Sequence, residues 1–169
     1  MVKLNFGCGS IQPDGWINID HDTQFNATPH LNNVEPGSVD IIVAHAVVQQ
    51  IPWHMLCKKL IELRTKLKVG GILRISLPDI VSGFEAYKDN DISWFPNGEG
   101  NLDDRFSAWL TWYSTSCTLL TVDALIHKLE EAGFYQILPT SYKQTKFDII
   151  ESIELDTRES EFYFVEAKK

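Results

Sequence analysis

The sequence has few cysteines, no long hydrophobic run and little positive charge, and each of these shortages argues against a class of protein. Its three cysteines, Cys8, Cys57 and Cys117, form no C-x-x-C or Cys/His pair with metal-ligand spacing, so we expect free thiols in a reducing compartment. The apolar stretches are too short to cross a bilayer, which argues against a membrane-spanning protein. The sequence contains 15 Lys and Arg but 23 Asp and Glu, which gives a net charge of −8. This disfavours a nucleic-acid partner, because phosphate binding needs cationic side chains.

What is present is an ordinary globular composition. Hydrophobic residues make up 44% of the 169 positions and charged residues 22%, so we expect one folded domain spanning 1–169. The chain opens with a strand-like pattern at Met1–Leu4 and lacks the basic and apolar progression of a secretory signal. We therefore expect a cytoplasmic protein.

The apolar patterns predict an α/β fold with a mostly parallel sheet. The predicted strands are 2–6, 16–20, 39–44 and 71–77, with a weaker one near Leu31. A helix between Pro52 and Gly70 has one face made of leucines: Leu56, Leu60, Leu63 and Leu67. Because this helix follows one strand and precedes another, the three elements form a parallel βαβ unit.

The second half of the chain adds one helix and a hairpin. The helix opens at Thr121, a good N-cap residue, and ends at Gly133. Alternating apolar residues over 146–154 and 161–167 predict two antiparallel strands, which make a terminal hairpin.

A long aromatic segment, residues 79–118, interrupts this alternation of strands and helices. Its forty residues hold eight aromatic side chains: Phe84, Tyr87, Trp94, Phe95, Phe106, Trp109, Trp112 and Tyr113. So long a connection is typical of a lid or binding loop, and ligands of open α/β sheets bind at the carboxyl ends of strands. The alternative is that each aromatic residue simply covers the core. We interpret 79–118 as a lid insertion that binds substrate.

The stretch Gly7-Cys8-Gly9-Ser10, followed by Asp20, is the most informative one for chemistry. Glycines let a ligand approach bare backbone, and a carboxylate at the next strand end can accept hydrogen bonds from both ribose hydroxyls. A dinucleotide site needs a third glycine and an acid about 20 residues on. Gln12 stands at the third-glycine position and Asp20 follows Gly9 by only eleven residues, so the spacing excludes that site. A purely structural glycine turn is the competing interpretation.

These residues resemble the first motif of the class I S-adenosylmethionine-dependent methyltransferases, especially small members with L-N-x-G-C-G followed by G-W-x-N-x-D. Residues 67–79 are similar to the family's L-K-P-G-G-x-L-x-I-S-x-P-D, and residues 129–134 to its L-x-x-A-G-F. The resemblance covers most of the chain. It implies a Rossmann-like methyltransferase fold and S-adenosylmethionine as the cofactor.

The resemblance also implies a set of cofactor-binding residues. Gly7, Cys8, Gly9 and Ser10 would lie against the methionine and ribose, and Asp20 would hold the ribose hydroxyls. The adenine would lie near a second group of residues: Leu31, Asn32, Ala44 and His45.

The chain departs from the family pattern in two places. Where relatives have an H-V-L-E-H-like run, this chain has Ala46-Val47-Val48-Gln49-Gln50, and His45 stands one position early, which points its side chain to the other face of the strand. The connection from Gly7 to Trp16 is too short for the usual helix, although relatives that share the G-W-x-N-x-D block are equally short there. One side of the site would stay more open, which implies either a loosely bound cofactor or a site completed by a homodimer or a partner subunit.

The candidate catalytic bases are His45 and Asp79. Methyl transfer needs mainly orientation and exclusion of water, but a hydroxyl acceptor also needs a base. A polar loop histidine is the alternative for His45, and a turn or helix-cap residue is the alternative for Asp79. The other histidines, His21, His30, His54 and His127, show no ligand spacing, so we expect no metal.

The function favoured by the sequence is methyl transfer to a small or medium acceptor. A second hypothesis is a catalytically silent domain that binds the cofactor and regulates or scaffolds a partner, because the H-x-x-E-H positions are lost. A third is a nucleoside-binding module that does not use this cofactor. Cofactor binding and turnover distinguish the three.

Overall fold

A six-stranded sheet forms the centre of the fold in the computed structural model, which describes residues 1–20 and 29–169. The strands are β1 (Lys3–Phe6), β2 (Ile17–Ile19), β3 (Val39–His45), β4 (Leu67–Pro78), β5 (Tyr135–Thr140) and β6 (Phe162–Lys168). Their order is β2-β1-β3-β4-β6-β5. The first four strands are parallel, and β6 runs antiparallel to both of its neighbours. The predicted α/β class with a mostly parallel sheet is confirmed.

The helices are α1 (Pro29–Asn32), α2 (Trp53–Lys66), α3 (Ile80–Lys88), α4 (Leu102–Leu110), α5 (Val122–Glu131) and α6 (Ile150–Ile153), with 3-10 turns at Val48–Gln50 and Ile92–Trp94. Leu56, Leu60 and Leu63 of α2 are fully buried as expected, but Leu67, predicted on the same helix face, is the first residue of β4. The Thr121 hydroxyl accepts a hydrogen bond from the Ala124 amide at the start of α5, as expected. The single turn α1 stands where a weak strand was predicted near Leu31, so that prediction is wrong. Proline suits the first helical position, and one turn is enough to bury Leu31.

The two faces of the sheet are covered by different parts of the chain. One face packs against α2 and α5 through the main hydrophobic core, to which β1, β3 and β4 contribute alternate residues. On the opposite face, Ile41, Val43 and Ile72 pack with Ile149 and Leu155. We call residues 141–161, which join β5 to β6, the 141–161 connection. It covers the face left open by the short stretch from Gly7 to Trp16, which forms turns and no helix.

The terminal antiparallel hairpin exists, but its first strand lies elsewhere in the sequence. β6 pairs with β5 at 135–140, whereas residues 146–154 form irregular chain and the short α6. The prediction of a strand at 146–154 is therefore wrong. Alternation there reflects Phe147, Ile149 and Leu155 packing onto the sheet face rather than pairing within the sheet. The true strand was missed because β5 is an edge strand with few buried side chains, and it contains Pro139.

The aromatic segment 79–118 is largely helical and has a hydrophobic cluster of its own. Phe95 and Trp109 are fully buried, and Trp109 meets Trp94, Phe95 and Trp112 edge to face. Gly83 makes this packing possible, since a Cβ there would lie 2.5 Å from the Trp109 ring. The aromatic residues thus pack mainly on one another, and the role of the segment as a lid stays a prediction. In the described part of the chain, no helix has both the length and the apolar character needed to span a bilayer.

Candidate functional site

A cleft opens at the carboxyl ends of β1 and β3, where ligands of parallel α/β sheets bind. Its volume is about 230 Å³. Its lining residues are Asn5, Gly7, Cys8, Gly9, Ser10, Ile11, His45, Ala46, Trp112, Leu155, Thr157 and Arg158. The structure therefore brings together the glycine loop and His45, and it adds a wall from the 141–161 connection.

The glycine loop is held in a turn by backbone hydrogen bonds. The amides of Gly7 and Cys8 both donate to the carbonyl of Ile19, at 2.7 and 3.1 Å. Gly7 has a φ of 75°, which favours glycine, and a side chain there would collide with Val47. Burial and the nearby charge of Asp20 raise the pKa of the Cys8 thiol, so Cys8 remains protonated at neutral pH.

Asp20 lies directly after β2, beside the glycine loop. Its Oδ1 accepts a hydrogen bond from the Gly9 amide at 3.2 Å. The side chain is exposed, and Ser10 next to it on the loop is exposed as well. A carboxylate and a glycine loop are thus in contact at the carboxyl ends of two adjacent parallel strands.

The residues expected near the adenine lie apart from this cleft. Leu31 and Ala44 are fully buried in the main hydrophobic core, whereas Asn32 is exposed, and none of the three belongs to the cleft lining. Their role in adenine binding stays a prediction.

His45 lies at the end of β3 on the face opposite to Ala44, and both of its ring nitrogens are engaged. Nδ1 pairs with the Ser76 hydroxyl on β4, and Nε2 pairs with the Thr157 hydroxyl at 2.6 Å. Burial lowers the pKa of His45 from 6.5 to about 4 against the opposing charge of Asp156. The imidazole is therefore neutral at physiological pH and acts as both donor and acceptor.

Asp79 caps helix α3. Its Oδ1 accepts hydrogen bonds from the amides of Val81 and Ser82, and its Oδ2 accepts the Ser82 hydroxyl at 2.8 Å. It is not among the cleft-lining residues. Asp79 therefore has the geometry of an N-cap residue, the alternative given for it above. A catalytic role for Asp79 stays a prediction. Within the part of the chain that the structure describes, no group of three or more His, Cys, Asp and Glu side chains could hold a metal ion, and His21 and the His30 side chain fall outside that part.

Solved structures resemble this fold, although neither a protein-family model nor a curated protein matches the sequence. A SAM-dependent methyltransferase from Archaeoglobus fulgidus superposes with a TM-score of 0.57 at 15% identity, over 99% of this chain and 85% of that one. An S-adenosylmethionine-dependent methyltransferase from Mesorhizobium loti gives 0.57 at 14% identity, over 99% and 90%. Phosphoethanolamine N-methyltransferase 2 from Haemonchus contortus, in complex with S-adenosyl-L-methionine, gives 0.58 at 14%, over 100% and 48%.

The chain has the Rossmann-like methyltransferase fold. In this methyltransferase fold the cleft lies at the carboxyl edge of the sheet.

A buried ionic network behind the cleft was missed by the sequence reasoning. Arg74 on β4 forms two hydrogen bonds with the Asp156 carboxylate, at 2.9 and 2.5 Å, and one with Glu166 on β6 at 2.6 Å. Its other two hydrogen bonds go to the carbonyls of Ser141 and Gln144. All three charged side chains are essentially inaccessible to solvent. The network ties the 141–161 connection to the sheet. The available signal was Arg74 and Glu166, a charged residue between apolar neighbours in each of two strands.

The wall formed by Thr157 and Arg158 was also missed, because the predicted hairpin of strands 146–154 and 161–167 leaves both residues in the connection between its strands. Asp156, held by Arg74, places Thr157 against His45. Arg158 follows with a φ of 66°, and its guanidinium lies over the Trp112 ring, 5.2 Å from the ring centre. In this methyltransferase fold, the connection between the last two strands and the aromatic segment thus meet at the cleft.

Proposed function

We propose that this protein binds S-adenosylmethionine in the cleft and transfers its methyl group to a small or medium acceptor molecule. One observation carries the proposal. In a methyltransferase fold, the glycine loop and Asp20 meet through the Gly9 amide at the carboxyl ends of β1 and β2. An exposed carboxylate at this position is suited to accept hydrogen bonds from two ribose hydroxyls.

The glycine loop of the cleft and Asp20, which contacts this loop from outside the cleft lining, fit the polar part of this cofactor. The bare loop Gly7–Ser10 would lie against the methionine and ribose, and Asp20 would bind the ribose. The cleft volume of about 230 Å³ is smaller than the roughly 300–1,000 Å³ of typical ligand pockets. Arg158, whose side chain is 39% exposed, is the residue of the wall that we expect to shift when the cofactor binds.

The chain itself contributes mainly orientation and exclusion of water. When bound, the cofactor supplies a methyl group on a positively charged sulfur, so the transfer needs no covalent intermediate on the protein. His45 is neutral at physiological pH, and one of its nitrogens accepts a hydrogen bond from a neighbouring hydroxyl. We infer that His45 is the candidate base for an acceptor that must lose a proton, with Asp79 as the second candidate.

A specific observation supports the alternative, a cofactor-binding domain without turnover. Both nitrogens of His45 are already paired, and the Asp79 carboxylate already accepts three hydrogen bonds. His45 would have to release a partner before it could accept a proton, and Asp79 lies outside the cleft lining. Formation of S-adenosylhomocysteine from S-adenosylmethionine in the presence of acceptor distinguishes the two proposals.

The decisive experiment is calorimetric titration of the protein with S-adenosylmethionine and, separately, with S-adenosylhomocysteine. We expect micromolar binding of both. Asp20→Ala should weaken binding by about 2 kcal/mol, the typical loss of a hydrogen bond to a charged group.

Asp14→Ala is the matched control, because Asp14 is likewise an exposed aspartate near the glycine loop, whereas only Asp20 of the two accepts the Gly9 amide of that loop. It should leave the affinity unchanged. Lack of binding to either compound, or equal effects of the two substitutions, contradicts the proposed cofactor site. The cytoplasmic location and a homodimer or partner subunit at the open side stay predictions.

A further inference from the structure

A buried carboxylate with an unused oxygen lies beside the cleft. Glu161 is only 4% exposed, and its Oε1 has no hydrogen-bond partner among the described residues. Its Oε2 accepts a single long hydrogen bond, 3.3 Å, from Nη1 of Arg158. The Asp79 amide donates a hydrogen bond of 2.8 Å to the Glu161 carbonyl, which places Glu161 at the carboxyl end of β4. Burying a carboxylate costs free energy unless a cation or several hydrogen-bond donors compensate its charge. Glu161 therefore lacks part of the compensation that its charge requires.

The cation nearest to this carboxylate is held weakly. The Arg158 guanidinium stacks over Trp112 at 5.2 Å and pairs with Glu161, so an aromatic face and a carboxylate share one positive charge. The Arg158 side chain is 39% exposed, and its one hydrogen bond to Glu161 is long. Because the guanidinium is partly exposed and makes only this long hydrogen bond to the buried carboxylate, another cation can compete with it for Glu161.

We propose that Trp112 and Glu161 form a binding subsite for a positively charged group of the acceptor, and that Arg158 occupies this subsite until the acceptor arrives. The inference rests on the proposed function and names the substrate class of the same cleft. Trp112 and Arg158 line the cleft together with the glycine loop and His45. An acceptor anchored through its cationic group would therefore extend toward the loop that is proposed to bind the cofactor.

The charges around the subsite favour a cation over an anion. An indole face attracts cations, and the buried carboxylate repels anions. The field of Glu161 also reaches Tyr113, next to Trp112, since burial and the Glu161 charge together raise the pKa of that phenol. The net charge of −8 adds a general attraction for cationic molecules.

The test uses n-butylammonium as the cationic probe, with n-butanol and butyrate as neutral and anionic probes of similar size. The protein is labelled with 15N at tryptophan, and the Trp112 indole signal is assigned by its loss in Trp112→Phe. At constant ionic strength, we expect n-butylammonium to shift this signal in a saturable manner, and n-butanol and butyrate to leave it unchanged. A saturable response to butyrate, or equal responses to n-butylammonium and n-butanol, overturns the proposal.

Two substitutions should change the affinity for n-butylammonium in opposite directions. Arg158→Gln removes the occupant and should tighten binding by up to about fivefold, the scale of a weak ion pair. Glu161→Gln removes the anionic partner and should weaken binding at least about tenfold. Glu159→Gln, at an exposed glutamate two positions away, is the matched control and should change nothing. Weaker binding in Arg158→Gln overturns the proposal, and because that side chain is partly exposed, this variant remains informative if Glu161→Gln does not fold.

The titration is repeated with saturating S-adenosylhomocysteine, which separates the two proposals. A response to n-butylammonium in a protein that binds no S-adenosylhomocysteine overturns the proposed function but supports the cation subsite. Binding of S-adenosylhomocysteine without any response to n-butylammonium overturns the subsite and supports the cofactor cleft.

Discussion

Gly7 and Val47 approach each other so closely that no side chain fits at position 7. A Cβ on Gly7 would lie closer than 3.0 Å to three side-chain atoms of Val47, and the backbone there has a φ of 75°. Val47 belongs to the run 46–50 that replaces the histidine-containing run of the resembling family. The loop glycine and this replaced run are therefore packed as one unit.

Gly7→Ala should destabilise the protein by roughly 3 kcal/mol, the combined cost of a left-handed alanine and an overpacked core. Gly15→Ala is the control, because Gly15 has a φ of 77° but no atom within 4 Å of an added Cβ. It should cost only about 1 kcal/mol. Urea denaturation measures both free energies of unfolding, and equal losses would show that Val47 does not constrain the loop.

The buried His45 should make stability depend on pH. Its pKa is about 4 in the folded protein and 6.5 in the unfolded chain, so between these values only the unfolded chain is protonated. The stabilisation is present above pH 6.5 and is lost as the pH falls to about 4, by roughly 3 kcal/mol. His45→Gln should lose less stability than the native protein over the same range, as measured by urea denaturation at several pH values. Parallel pH profiles of the two proteins would contradict the low pKa.

Removing Arg74 should be far more damaging than removing a partly exposed cation from the same strand. Arg74→Met leaves Asp156 and Glu166 buried without their partner and should cost about 3–5 kcal/mol. Lys68→Met removes the pair with Asp40, whose two side chains are 44% and 28% exposed, and should cost at most about 1 kcal/mol. Thermal and urea unfolding of both variants provide the comparison. Similar losses would mean that the buried network does not hold the 141–161 connection.

Substitutions at Asp79 separate its two possible roles. As a helix cap, Asp79→Ala should lower stability by about 1 kcal/mol, whereas Asp79→Asn keeps an oxygen for the Val81 and Ser82 amides and should lose only a few tenths. Asn cannot act as a base. Loss of methyl transfer in a stable Asp79→Asn protein would therefore establish Asp79 as the base, and full activity would leave it as the cap.

The sequence predicted correctly those helices and strands that are determined by residues close to them in the sequence. The leucines of α2 and the cap of α5 are signals within one or two turns. β1 and β2 follow short apolar alternations that end at turns, and β3 follows a near-continuous apolar run. The edge strand β5 was not recognised because none of its side chains is fully buried. The alternation at 146–154 comes from a segment that packs on the face of the sheet without pairing in it. Alternation reports which residues are buried, but it does not report whether the backbone pairs with another strand.

The amino-acid sequence by itself determined the parallel sheet, the glycine loop with Asp20 at one edge, and the presence of His45 at a strand end. Only the tertiary structure decided what surrounds that histidine. Thr157 lies 112 positions from His45, and Asp156 lies 82 positions from Arg74, so their contacts depend on the order of the strands. β6 inserts between β4 and β5, and this places the preceding connection on the sheet face next to the cleft. Such contacts leave no local period in the sequence, because strand order is set by packing between distant segments.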